Sequence, residues 1–173
     1  NRAVVLMLEN KLDLAEAELS KAVLLRPMSG CLQLELGDIC MMQNKRDKAL
    51  GQYTQAKELV GDWPEPYYKI ALVLKSQADE LMKENKADEA RKLYKEALKN
   101  ASETIDKDPT FIPAYALEVE LMRITGAKDE DIKKKLDKGA KVNSKSAPMQ
   151  EMLLKQTQII EEAQKLEKAE ECH

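Results

Sequence analysis

Leu14 to Pro27 reads LAEAELSKAVLLRP, and Lys48 to Gly61 reads KALGQYTQAKELVG. Laid over each other, Ala15 falls on Ala49, Leu19 on Tyr53, Ala22 on Ala56 and Pro27 on Gly61, each pair 34 residues apart. Both stretches place a small residue, a large one four later and a small one three after that, which keeps all three on one helical face. Small side chains at i and i+7 let two helices approach closely, and the large one at i+4 fills the space between them. Pro or Gly then stops the helix and turns the chain into the next segment. Neither stretch can hide that face alone, so the spacing predicts tandem helix hairpins, each completed by its neighbour.

The pattern continues downstream with a change of length. Trp63-Pro64-Glu65-Pro66 reads as a turn, after which Tyr67-Tyr68-Lys69-Ile70-Ala71 opens a helix. Ala90, Tyr94 and Ala97 repeat the small-large-small signature 41 residues beyond Ala49, Tyr53 and Ala56, and the terminating Pro109 lies 48 residues beyond Gly61. Seven residues have therefore been added to each helix of this hairpin, about two turns or roughly 10 Å. Equal extensions preserve antiparallel pairing, and Ile70, Leu74, Ala78 and Leu81 continue the apolar spacing through the insertion. The tip, residues 78–90, is expected to project and make a second contact with another subunit or partner. A fourth block is degenerate. Tyr115 opens its first helix, Gly126 marks its turn, and Ile132, Leu136 and Gly139 follow Ala97, Ala101 and Thr104 by 35 residues. Ser144, followed by Pro148, replaces the terminating Pro109. A last helix, from about Met149 to Glu171, carries Met152, Leu153, Ile159, Ile160, Ala163 and Leu166 as an apolar stripe, with Gln, Glu and Lys elsewhere, as the outer side of a terminal cap requires.

The period of 34 residues and these residue types resemble the tetratricopeptide repeat (TPR) family. Ala15-Leu19-Ala22-Pro27 matches its pattern fully, Ala49-Tyr53-Ala56-Gly61 departs only in the last residue, and Leu36-Gly37 with Cys40 stands where the family has Leu-Gly-x-x-Tyr. The resemblance implies an all-α, right-handed superhelical solenoid of about four hairpins in a single domain. Their approximate spans are 1–27, 30–61, 64–109 (elongated) and 112–144, with a capping helix over 148–171. It further implies that the first helix of each hairpin lines a concave groove holding an extended peptide or an amphipathic helix of a partner protein. The aligned groove positions are Leu34, Glu35, Asp38, Met41 and Met42; then Glu65, Tyr68, Lys69, Leu72 and Lys75; then Ala116, Leu117, Glu120 and Arg123. Family members that clamp an acidic chaperone C-terminus use Lys and Asn on their first repeats. Glu35 and Asp38 stand there instead, so the clamp is not supported. Acid at one end and base at the other, with Met and Tyr between, suits an amphipathic segment.

Composition narrows the function further. Hydrophobic residues make up 43% and charged residues 34%, while aromatics are only 4%, the usage of helices rather than strands. The net charge is −3, and the densest basic run, Lys133-Lys134-Lys135, is ringed by Asp129, Glu130, Asp131 and Asp137, so a nucleic-acid partner is not expected. Three Cys (Cys31, Cys40, Cys172) without a CxxC pair, and a single His at position 173, offer neither a disulfide framework nor a zinc site. Cys31 and Cys40 are expected to be buried or half-buried, and a reducing, cytoplasmic setting is favoured. No P-loop, GxGxxG or nucleophile–base set is present, so neither catalysis nor a cofactor is expected. No apolar run reaches the roughly 20 residues of a membrane span. The first residue is Asn1 and 3–8 already read as mid-helix, so the chain is taken as a fragment or processed form in which missing targeting signals carry no information. Trp63, Met28, Phe111 and Pro113, at the inter-hairpin turns, are expected to serve packing. The leading function is a protein-interaction scaffold or adaptor within a larger complex. Alternatives are a chaperone subunit holding an apolar client segment and a structural spacer with no ligand.

Overall fold

A computed structural model describes the backbone of residues 2–170, and within them every side chain except those of 164 and 166–170. The described residues form nine α-helices and no strand: α1 (Arg2–Leu8), α2 (Leu12–Leu25), α3 (Gly30–Met42), α4 (Arg46–Leu59), α5 (Pro64–Lys83), α6 (Ala87–Lys107), α7 (Ile112–Ile124), α8 (Asp129–Val142) and α9 (Ala147–Glu170). They divide into two compact units, Asn1–Asn100 and Ala101–His173, the division falling inside α6.

The elongation of the third hairpin is symmetrical. Helices α3 and α4 have 13 and 14 residues and α5 and α6 have 20 and 21, so each gained seven. Both prolines expected in a turn lie instead in the first turn of α5, where the missing N–H is one the helix could not use. Helix α7 likewise begins three residues before Tyr115, at Ile112.

In the first unit, Ala15 and Leu19 of α2 meet Leu36 and Ile39 of α3 in one buried cluster with Ala3. Ala49, Tyr53 and Ala56 of α4, and Ala90, Tyr94 and Ala97 of α6, are buried at the same helical register. The Tyr53 ring lies so close over Gly37 that a Cβ there would sit 2.5 Å from the ring. The second unit reverses the roles. Tyr115 comes from the first helix of the hairpin and Gly139 from the second, with the same 2.5 Å clearance to an added Cβ. Counted from the helix start, Ile132, Leu136 and Gly139 of α8 are the counterparts of Ala90, Tyr94 and Ala97; the alignment to Ala97, Ala101 and Thr104 holds only from the helix end.

Each turn within a hairpin holds one left-handed residue: Asn10 (φ 57°), Asn44 (φ 62°), Asn85 (φ 61°) and Gly126 (φ 83°). Each closes a Schellman arrangement: the N–H of Asn44 donates to the Met41 carbonyl (2.9 Å), and that of Lys45 to the Cys40 carbonyl (2.8 Å). Asn10-Lys11 and Asn85-Lys86 repeat that geometry. Two of the turns between hairpins, those leading into α5 and α7, use a different device. The Tyr67 hydroxyl donates to the Gly61 carbonyl (3.0 Å), and 48 residues later the Tyr115 hydroxyl donates to the Pro109 carbonyl (3.2 Å).

Helix α9 covers the second unit with Met149 and Ile160, both buried. Between them Gln156, fully buried, donates to the Asp129 carbonyl and carboxylate (3.3 and 2.8 Å) and accepts from Arg123. Ala163, expected on the apolar stripe, is exposed, since the stripe meets the unit only through its first turns. The side chain of Leu166 and the helix's expected last residue, Glu171, lie outside what is described, as do Asn1, Cys172 and His173. Trp63 is half-buried as the residue preceding α5, and Phe111 is half-buried. Met28, Pro113 and Cys31 are exposed, contrary to expectation: all three lie where a turn leads into the next helix, on the side facing water.

Candidate functional site

The first helices of the first three hairpins place side chains around one concavity of about 360 Å³ in the first unit. Met7 of α1, Met41 and Met42 of α3, and Leu72 and Val73 of α5 supply its apolar lining. Its polar edge is a single network. The Asp38 carboxylate accepts from the buried Tyr53 hydroxyl at 2.6 Å and from the Lys69 ammonium at 2.9 Å, joining α3, α4 and α5. Burial and the bond to Asp38 push the Tyr53 phenol far above its ordinary value, so it remains a neutral donor. Asp38 and Lys69 neutralise each other, which leaves the thioethers and Leu72 as the chemistry on offer.

Five of the residues singled out in the sequence are thus brought together: Asp38, Met41, Met42, Lys69 and Leu72. Glu35, Glu65 and Tyr68 are half-buried on the same helices. Lys75 is drawn to Asp79 one turn on (3.1 Å). Leu34 and Leu117 are corrections: at 6% and 5% exposed they belong to the core rather than to the open surface of their helices. Met7 was missed, because too little of α1 precedes it to show the repeat.

In the second unit, α7 and α9 flank a trough formed by two adjoining concavities of about 620 and 510 Å³, which share Ala116, Met152 and Lys155. Val119, Ile124 and Ile159 line its floor, with Glu120 and Arg123 of the predicted set at one side. Arg123 is held by Gln156, and Lys155 by Glu151 at 2.7 Å, a bond that lowers the Glu151 carboxyl below its ordinary value. Among the described residues no group of three or more His, Cys, Asp or Glu is placed to hold a metal ion, and no helix is long and apolar enough to cross a membrane.

These features define a tandem helix-hairpin protein with concave surfaces on its first helices. No family model and no curated protein matches the sequence. Solved structures do. The chain is similar to the MamA protein at 23% identity and a TM-score of 0.66, over 84% of this chain and 73% of that one. A TPR protein of Thermus thermophilus matches with a TM-score of 0.64 at 11% identity, over 91% of this chain and 79% of that one. The first TPR domain of Spaghetti (RPAP3), solved with the HSP90 peptide SRMEEVD, matches with a TM-score of 0.55 at 16% identity, over 76% and 94%. The fold is that of tetratricopeptide-repeat proteins.

Proposed function

We propose that the chain is a protein-interaction scaffold, holding a peptide or helical segment of a partner against the first helices of its hairpins within a larger complex. The observation that carries this reading is the concavity of about 360 Å³ where three methionines and Leu72 surround a neutralised Asp38–Lys69 pair. Flexible thioethers adapt to apolar side chains of varied shape, and an internally paired rim gives no reward to a strongly charged ligand. The RPAP3 domain, of the same fold, was solved with a bound peptide, which supports a peptide as the kind of ligand. Here the Lys69 ammonium is already taken up by Asp38 and gives an acidic terminus little to bind, so an amphipathic segment is the better fit. Glu35, Tyr68 and Lys75, on the same helices as the lining, are proposed to read the ligand's polar side, Glu120 and Arg123 are proposed to do so separately along the trough of the second unit, and catalysis forms no part of this reading. A chaperone that holds an apolar client segment would use the same methionines. The scaffold reading is distinguished from it by a preference for particular sequences.

The test is selection from a displayed library of random peptides. Enriched sequences are expected to carry apolar side chains, and Met42→Glu and Leu72→Glu, both at exposed positions, are each expected to weaken binding about tenfold or more, which is about 1.4 kcal/mol. An unenriched library, or peptides indifferent to both substitutions while circular dichroism shows folded helices, overturns the proposal and favours a spacer.

A further inference from the structure

The outward face of α2 differs from that of its sister helices. Leu14 is 57% exposed and Leu24 is 81% exposed. Counted from each helix start, Leu14 corresponds to Lys48 of α4, Glu89 of α6 and Asp131 of α8; Leu24 corresponds to Glu58, Lys99 and Lys141. All six counterparts are charged and exposed. The fold therefore asks for charge at these two places, and α2 alone carries leucine there. Leu25, 83% exposed, sits beside Leu24, and Ala17 lies between the leucines on the same side of the helix. Spacing of i, i+3, i+7, i+10 makes Leu14, Ala17, Lys21 and Leu24 one stripe.

The stripe is self-complementary. Turned end for end about a two-fold axis near the middle of α2, Leu14 meets Leu24 and Leu25 of a second copy, and Lys21 lies over that copy's small Ala17 and reaches its Glu18. Within its own helix Lys21 has only a loose 3.5 Å contact with Glu18, both at the surface. The pairing repeats in both directions, as a two-fold contact must. We infer that α2 is a homodimerisation surface, packing antiparallel against α2 of a second copy, with leucines at both ends and two Glu18–Lys21 pairs at the centre. The stripe spans about 16 Å of helix and offers far fewer than the roughly 20–30 residues a side of a standard interface. Association is therefore reversible and concentration-dependent.

Sedimentation velocity over a concentration series tests this directly. The chain is expected to shift from monomer toward dimer as concentration rises. Leu14→Lys with Leu24→Glu gives α2 the residues that α4 carries at the same register, so the fold tolerates both, and the dissociation constant is expected to rise about tenfold or more. Lys21→Glu is expected to weaken the dimer and Glu18→Lys with Lys21→Glu to restore it, because the exchanged charges still meet across the axis. A chain monomeric at every concentration, a dimer unmoved by the leucine changes, or a charge exchange that restores nothing each overturns the inference, including the case where the stripe serves a different protein.

Discussion

At Gly37 an added methyl group has nowhere to go, because the Tyr53 ring already occupies the place a Cβ would take. Gly37→Ala should therefore cost about 1–3 kcal/mol in urea unfolding, through displacement of the ring and its bond to Asp38. Gly139→Ala, beneath Tyr115, should behave alike. Gly51 is the control: it lies inside α4 with nothing within 4 Å of an added Cβ, so Gly51→Ala should stabilise by about 0.5–1 kcal/mol. Asn44 sits at φ 62°, so Asn44→Ala should cost about 1–2 kcal/mol while Asn44→Gly stays near neutral. Single residues were legible in the sequence where size carried the message, as in the small-large-small triplets. The three turn asparagines, 34 and then 41 residues apart, carried an equally regular signal that their polarity disguised as ordinary surface. Leu34 and Leu117 were misplaced because helical spacing fixes which residues share a face but not how far each helix is rotated between core and groove.

Between elements, the polar ties are more specific than the apolar ones. The Lys45 ammonium, at the α3–α4 turn, donates to Glu16 of α2 at 2.7 Å; this lowers the Glu16 carboxyl below its ordinary 4.5 and raises Lys45 above 10.5. A lowered carboxyl pKa means the folded chain binds fewer protons than the unfolded one. Its contribution is complete above pH 4.5 and is lost as pH falls through the depressed value. Glu16→Gln should flatten that acid limb of the Tm–pH profile while changing neutral-pH stability modestly, as expected of a pair still partly open to solvent. The tie of α9 runs through Gln156, which bonds to Arg123 and Asp129 from a buried position. Gln156→Leu should cost about 1–3 kcal/mol by leaving those partners unmet, with hydrogen exchange in α9 accelerating first. The two added turns of α5 and α6 were readable by counting between repeated landmarks. The hold on α9 was not, since nothing in a lone glutamine on an amphipathic helix announces what it will touch.

For the molecule as a whole, period and architecture were written in the sequence because every hairpin repeats the same packing problem. The proposed binding surface lies where the repeat does not constrain residue choice, and there only the assembled helices show which candidates converge. Met41, Met42 and Leu72 meet Met7 from a helix too short in the sequence to betray its register. The stripe on α2 became visible only by comparing positions the fold leaves free. The proposed function requires a ligand to lie on the first helices of the first three hairpins. Methionine ε-methyl groups report on this directly by nuclear magnetic resonance during titration with a selected peptide. Met7, Met41 and Met42 are expected to shift together while the exposed Met28 and Met82 stay in place. Shifts at Met28 or Met82 with the three lining methionines unmoved would contradict it.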